Sequence, residues 1–432
     1  MSRTPKVSPP DLETVSLHRA GYTTLIYKAE TITPYIGGSP ISGKTSEIAR
    51  PSAVANSIRK WWRVCQADKY RSAASLWEAE SELWGSSEEG RGGRCSVFTE
   101  TTSSEDWTVD VSRRADGKVI RYDPFPPVPP YAVFPWASRD TLNANHGTLP
   151  ARCNLKFTIR ITAPISDISG IKEAIRAYRL FGGYGQRANR GFGSLNIYDT
   201  HGGFLSFPKP HMCESESKAT GISSSIYLWT ENGLDPMNAW NEAVRVYAEF
   251  NQGEGFARNI GHGNKPGQSL FPEADTVRRM TNAHDHNPNR IPVNGFPRAD
   301  LGLPRIFEFP SPRGGPDTPP KSTLQGSRDG HSRYESPVVT KVFQQQFQRD
   351  NSVRTYAMIA IMDSPHVWED SNTVELKITR GGTRDVTSSM MKLDSVTPAQ
   401  WALMPPLDGH SARDALVQYL NGIQEWQRVR IG

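Results

Sequence analysis

Apolar and polar residues alternate through YTTLIYKAETI, residues 22–32, with the β-branched enrichment of a half-buried strand. After the glycine-bearing loop TPYIGGSPISGKTSEIA the period lengthens. Pro51 suits a first helical turn, and Val54, Ile58, Trp61 and Cys65 recur at helical spacing, which predicts a helix to about Tyr70 with those four facing a core. AASLWEAESELWG predicts a second helix and RCSVFTET a strand. The proline-rich connector YDPFPPVPPYAVFPW, residues 122–136, separates them from a second strand, CNLKFTIRITA, residues 153–163. DISGIKEAIRAYRLF, residues 167–181, predicts a helix with Ile171, Ile175, Tyr178 and Phe181 inward, and GSLNIYD a closing strand. In order these elements read β-α-β-β-α-β with insertions, the ferredoxin-like arrangement.

Residues 1–22 are polar and proline-punctuated, a tail; residues 23–205 make the first unit. SFPKPHMCESESKATGISS, residues 206–224, reads as a linker. A second unit, 225–432, opens with SSIYLWT and the helix PMNAWNEAVRVYAEF. LPRIFEF, SPVVTKVFQQQF and RTYAMIAIMD predict strands, and ARDALVQYLNGIQEWQ a late helix. Residues 310–333, rich in Pro, Gly, Ser and charge, read as a mobile insertion.

The 432 residues have room for two or three domains. Fifty Lys and Arg against 45 Asp and Glu, with a pI near 8.9, is a mild excess for a free-standing nucleic-acid binder. Local placement of charge therefore has to carry any such reading. Cys65, Cys95, Cys153 and Cys213 form no CxxC pair, so neither a structural zinc site nor a disulfide framework is expected. No metal or other cofactor is expected. The first thirty residues lack a signal peptide's apolar core and no run of 18 apolar residues occurs, which predicts a soluble, cytoplasmic protein without a membrane partner.

The densest local signal is FGGYGQRANRGFGSL, residues 181–195, between the predicted helix and strand. Gly182, Gly183, Gly185, Gly191 and Gly193 allow tight turns and close backbone approach. Exposed amides can form a concavity for an anion, with Arg187 and Arg190 as clamps. The stretch leaves a helix for a strand, the reverse of a dinucleotide-binding loop, so a polymeric phosphate backbone is the leading ligand.

A second signal is the helix after Pro51, where Arg50, Arg59, Lys60, Arg63, Lys69 and Arg71 face one acid, Asp68. Arg59 and Arg63 share a face. Trp61 joins the apolar stripe, while Trp62 points about 100° away, nearer the basic face, as rim packing or as a stacking surface. A third signal is SLFPEADTVRRMTNAHDHNPNR with GFPRADLGLPRIFEF, where Arg278, Arg279, Arg290, Arg298 and Arg305 suggest an anion-facing surface. Ordinary pairing with Glu273, Asp275 and Asp300 fits that spacing equally. His284-Asp285-His286 would need further converging ligands to bind metal or move protons. No paired-carboxylate, G-x-S-x-G or complete P-loop pattern is present, so no catalytic residue is expected.

Together these segments resemble the RAMP superfamily of CRISPR-associated proteins, marked by a glycine-rich loop before the last strand of a ferredoxin-like domain. ITPYIGG…ARPSAVANSIRKWWR, LFPEADTVRRMT and PRADLGLPRIFEF…SRYESPVV are similar, more narrowly, to the first-numbered RAMP subunit of type III-B (Cmr) effector complexes. The resemblance covers residues 31 to about 340. It implies an α+β fold of two tandem ferredoxin-like (RRM-like) domains with insertions. It also implies a non-catalytic subunit that contacts the 3′ part of a guide crRNA and the target RNA in antiviral defence, beside other RAMP subunits. Two other readings stay open: a metal-independent endoribonuclease that matures guide RNA, with His262 beside Lys265 as the candidate, and a purely protein-bridging subunit.

Overall fold

The computed structural model describes residues 21–37, 45–113, 119–123, 129–133, 148–200, 203, 205, 211–212, 222, 225–229, 233–262, 267–283, 285–309, 317–327, 332–347, 352–369 and 374–430. The first strand, β1 (Tyr22–Thr31), buries Tyr27, Ala29 and Thr31 and exposes Thr24, Ile26 and Lys28. The alternation along its sequence thus becomes one covered face and one open face. The helices α1 (Pro51–Gln66) and α2 (Ala73–Trp84) follow, then β2 (Ser96–Arg113), β3 (Val119–Asp123), a single turn α3 (Pro130–Val133), β4 (Thr148–Pro164), α4 (Ile168–Phe181) and β5 (Leu195–Tyr198). They form an antiparallel sheet in the order β3-β2-β4-β1-β5, with Ala29 opposite Phe157 on one side and Ile197 on the other. Val54, Ile58 and Trp61 of α1 and Ile171, Ile175 and Tyr178 of α4 pack on the covered face, against Tyr27, Phe157, Ile159 and Ile161.

The second half adds two further antiparallel sheets. Its elements are β6 (His211–Met212), β7 (Ser225–Trp229), α5 (Pro236–Gln252), α6 (Glu273–Thr281), β8 (Arg305–Phe307), β9 (Ser322–Gly326), β10 (Val338–Gln346), β11 (Val353–Ile361), β12 (Val374–Ile378), β13 (Gly382–Val386), the short helices α7 (Ser388–Lys392) and α8 (Pro398–Trp401), α9 (Ala412–Asn421) and β14 (Trp426–Arg430). One sheet runs β10-β11-β7-β14-β6. Asp235 starts α5 by accepting from the amides of Met237 and Asn238, with Pro236 in the first turn. A third sheet, β13-β12-β9-β8, comes from the two insertions that flank β10 and β11, and it closes over Val277, Phe296, Leu324 and Leu376. The molecule is a mixed α+β fold with several antiparallel sheets.

Several elements differ from those read in the sequence: α1 ends at Gln66 rather than near Tyr70, β2 runs on to Arg113, and β3 has no counterpart there. The helix expected through residue 427 stops at Asn421, where Gly422 turns the chain into β14. Within the 310–333 insertion, Ser322–Gly326 is a strand with Leu324 fully buried, while 310–316 and 328–331 lie outside the described residues. The hairpin β12–β13 has no counterpart in that reading. The tail to residue 20 and most of the 206–224 linker lie outside the described residues; within the linker, His211–Met212 pairs with β14.

Candidate nucleic-acid interface

The glycine loop is zipped along the segment that follows β1. Gln186 N donates to Ile36 O at 2.8 Å, Gly193 N to Pro34 O at 2.7 Å, and Thr33 Oγ1 to Gly191 O at 2.6 Å. Such contact leaves no room for side chains. Gly191 (φ +84°) and Gly193 (φ +58°) have left-handed backbone, and a Cβ there would overlap the Trp240 ring and Tyr184 O respectively. Gly182, Gly183, Gly191 and Gly193 are buried, and the loop meets solvent at Gly185 and Gln186. Gly185, though exposed, is also left-handed (φ +88°), and a Cβ there would overlap Ile36 O, so all five glycines answer to internal packing where the sequence suggested a bare anion cradle.

The two loop arginines divide. Arg190 crosses into the second half: Nη1 donates to Val338 O at 2.7 Å, Nη2 to Ser336 Oγ at 3.1 Å, and the guanidinium lies 4.6 Å from the Tyr247 ring centroid. Trp240 Nε1 returns a 2.7 Å hydrogen bond to Arg190 O. This is a strut between the halves, not an outward clamp. Lys341 reinforces it, fully buried, with Nζ 2.7 Å from Arg179 O and from Gly182 O at the end of α4. Burial and the nearby Arg179 push the Lys341 amine well below its usual value. Arg187 instead stays at the cleft described below. Its Nη2 reaches Tyr131 O at 3.3 Å, its Nε is buried without a partner, and burial with Arg190 nearby lowers the guanidinium to about 10.

On the basic helix the structure supplies a carboxylate that spacing did not reveal. Glu80 of α2 is fully buried beneath α1. Arg63 donates to it from Nε at 2.5 Å and Nη2 at 2.6 Å, and Arg59 Nε also pairs with it. Burial pushes the Glu80 carboxyl up, but the two arginines outweigh it and hold it below its ordinary range. Arg59 is spent on this pair and on Gly85 O at 2.9 Å; Arg63 keeps half its side chain in solvent, at 53%. Arg50 caps the start of the helix, where its amide donates to Tyr184 Oη at 3.1 Å. Trp62 is not at a basic rim. It is as buried as Trp61, each 4% exposed, because α4 crosses α1 at Gly170 and Tyr70 closes the other side.

The downstream arginines are also turned inward, Arg298 and Arg278 on two of the carboxylates named as alternatives in the sequence and the others mainly on carbonyls and Asn side chains. Arg298 Nε meets the buried Glu273 at 2.9 Å and its Nη1 meets Asn251 O at 2.7 Å. Arg278 bridges Asp275 and Asp285, and Arg279 ties down the carbonyls of Ile291 and Val293. Arg305 reaches Arg298 O and Asn251 Oδ1, and Arg290 reaches Ser269 O. An anion-facing surface from these residues is thus not formed; a helix-and-loop framework is. Asp300 pairs with Arg413 and His366, each at 2.8 Å. His262 is exposed, His286 contacts Gln268, and His284 and Lys265 lie outside the described residues. Among the described residues, no three His, Cys, Asp or Glu side chains converge as a metal site.

A cleft of about 340 Å³ opens between α1, the end of α4 and the glycine loop. Lys60 and Trp61 line one wall, Tyr178 and Arg187 another, and Asn189 and Glu335 the rim. Lys60 Nζ pairs with Glu335, which also accepts from Asn189 Nδ2 at 2.8 Å. The Tyr178 hydroxyl is buried beside Ser57, whose own hydroxyl donates to Ala53 O at 3.0 Å.

Comparison with known proteins gives three findings. Residues 28–196 match the family model of the RAMP superfamily, a span from β1 through the glycine loop to β5. No curated protein matches the chain by sequence. Among solved structures, Cmr1 from Pyrococcus furiosus in its apo form overlaps 81% of this chain and 91% of its own, at 14% identity and a TM-score of 0.39. A cryo-EM structure of the type III-B Cmr-beta bound to cognate target RNA overlaps 91% of this chain and 99% of the matched chain, at 10% identity and a TM-score of 0.36. At those values the superpositions assign neither fold nor role. No helix among the described residues is long and apolar enough to cross a membrane.

Proposed function

Since residues 28–196 carry the RAMP-superfamily match, we propose that the chain is a non-catalytic RNA-binding subunit of a type III-B (Cmr) RNA-guided effector complex. In this reading the first two sheets belong to tandem ferredoxin-like units and the third sheet to their insertions. The chain contacts the 3′ part of the guide crRNA and the target RNA, and its partners are other RAMP subunits. The observation that carries the reading is the cleft beside the glycine loop, where Lys60 and Arg187 line an opening that three glycines leave bare of side chains. Arg63 extends the cationic surface along α1. Cations and hydroxyls of this kind hold a phosphate backbone largely without regard to sequence.

Salt dependence tests it directly. A Lys60→Ala, Arg187→Ala double variant should bind single-stranded RNA with a log-affinity versus log-salt slope shallower by about 1.4, roughly 0.7 for each lost phosphate contact. An unchanged slope and affinity would exclude this cleft as the RNA contact. Salt-insensitive behaviour of the wild type would favour the protein-bridging reading.

A further inference from the structure

Most arginines of this molecule are consumed by its fold, as Arg63 is on Glu80, Arg298 on Glu273 and Arg190 on Val338 O. One end of the third sheet departs from that pattern. There β9, β12 and β13 lie side by side, with Ser322 opposite Ile378 and Ile378 opposite Gly382. Thr379 N donates to Lys321 O at 2.9 Å, which brings the start of β9 to the β12–β13 turn. Lys321, Lys377, Arg380 and Arg384 gather at this end, and all four are exposed. Lys321 pairs with Glu308. Among the described residues no carboxylate lies within ion-pair distance of Lys377, Arg380 or Arg384, and Arg384 Nη1 donates to the neighbouring Thr383 O at 3.2 Å. Of the nearest acids, Asp385 follows Arg384 in β13, and Glu375 opposite it accepts from Gln325 Nε2 at 2.9 Å.

The turn keeps a cation where the backbone disfavours one. Arg380 has φ +63°, left-handed backbone that residues other than Gly, Asn and Asp seldom adopt. Glycine would fit that position with less strain, and an arginine held there points to a use for its charge. Gly382 follows at φ +75°, and a Cβ on it would meet nothing closer than Arg384 Nη1 at 4.0 Å, so the tip is bare beside that guanidinium. From this end β9, five residues and so about 13 Å long, runs to Gly326. The Gly326 amide donates to Ser332 O at 3.2 Å, and Glu335 of the cleft rim follows on the same segment.

We propose that this basic end of the third sheet is a second RNA contact, where Lys377, Arg380 and Arg384 hold phosphates of a single strand that runs past the rim of the cleft. Guanidinium and ammonium groups offer charged donors to phosphate oxygens, and contacts of this kind position a strand without reading its bases. The site lies outside residues 28–196, which carry the RAMP-superfamily match. The inference rests on the RNA-binding reading above and extends it from the cleft to an insertion of the second half.

The test follows binding of a thirty-nucleotide uridine oligoribonucleotide to the full chain across a range of salt concentrations. Arg380→Gln with Arg384→Gln should make the log-affinity versus log-salt slope shallower by about 1.4, roughly 0.7 for each lost phosphate contact. The unfolding midpoint should not move, because both side chains are exposed. Arg380→Lys with Arg384→Lys should keep the wild-type slope, since each ammonium still neutralises one phosphate. Added to Lys60→Ala and Arg187→Ala, the Gln pair should bring the total change in slope to about 2.8. Wild-type slope and affinity for the Gln pair would overturn the second contact. In that event a shallower slope for the cleft variant alone leaves the RNA-binding reading standing; if neither variant alters binding, both fail. A Gln pair that binds RNA like wild type but no longer enters the reconstituted complex would make this end a protein contact, and would also overturn the proposal.

Discussion

Glu80 draws Arg59 and Arg63 of α1 down onto a fully buried carboxylate of α2. Its folded-state pKa lies below the unfolded value, about 4.3 for Glu, so the ionised form stabilises the fold above that pH. That contribution is lost as pH falls through the lower, folded value. Glu80→Gln should lower the unfolding midpoint at neutral pH, and the gap from wild type should shrink in acid. A gap independent of pH would mean that packing, not charge, is what Glu80 contributes. The neighbouring tryptophans make a second residue-level test. Trp61 stands against Phe181, with ring centroids 5.7 Å apart, and Trp62 against Tyr70 and Gly170. Either one replaced by Ala should cost about 3–5 kcal/mol in denaturant unfolding. Near-neutral stability for Trp62→Ala would return it to the surface.

The glycine loop is an element held from three sides: the 33–37 segment, the end of α4, and β10 with α5. Thr340 N donates to Asn189 O at 3.1 Å and Val342 N to Ser194 Oγ at 3.2 Å, so β10 lies along the loop. Arg190→Ala removes three hydrogen bonds and a ring contact from that seam. It should destabilise the chain by roughly 1–3 kcal/mol, through loss of the charged donor to Val338 O and Ser336 Oγ. Gly191→Val should be worse, since a side chain there meets Trp240 with the backbone already left-handed. Neither variant, where it folds, should change the salt slope of RNA binding by the amount predicted for Arg187. Thermal unfolding and RNA titration on the same preparations separate the two effects; a slope change for Arg190→Ala equal to that for Arg187→Ala would put Arg190 back in the interface.

At the scale of the whole molecule, the two halves are joined through this seam, with Arg190, Lys341 and Arg179 reaching across it. An RNA strand on the cleft would therefore touch residues set by both halves, Lys60 from one and Glu335 from the other. On the reading proposed above, the chain would hold strands without cutting them. Target-RNA cleavage by a complex reconstituted with His262→Ala or His286→Ala chains should stay near the wild-type rate, and RNA incubated with the chain alone should remain intact. Specific cleavage by the isolated chain, abolished by a histidine substitution, would reverse the non-catalytic assignment in favour of guide-RNA maturation.

The α+β class and most elements of the first half were legible in the sequence, because hydrophobic period, Pro51 and Gly182 act over a few neighbouring residues. Val54, Ile58, Trp61, Ile171, Ile175 and Tyr178 are buried where the helical spacing put them. The late strand β14 was not, because YLNGIQEWQ carries helix-compatible residues past Gly422 and the choice falls to pairing with β7. The roles of the charged residues were decided by the tertiary structure alone. Arg63 finds Glu80 across 17 residues, Arg298 finds Glu273 across 25, and Arg190 finds Val338 across 148. No local spacing encodes such partners. Trp62 follows the same logic: helical periodicity assigns one covered stripe, whereas α1 is covered both by its sheet and by α4. The sequence by itself determined which residues could bind an anion; only packing decided that Lys60 and Arg187 line the cleft while Arg190, Arg278, Arg279 and Arg298 hold the fold together.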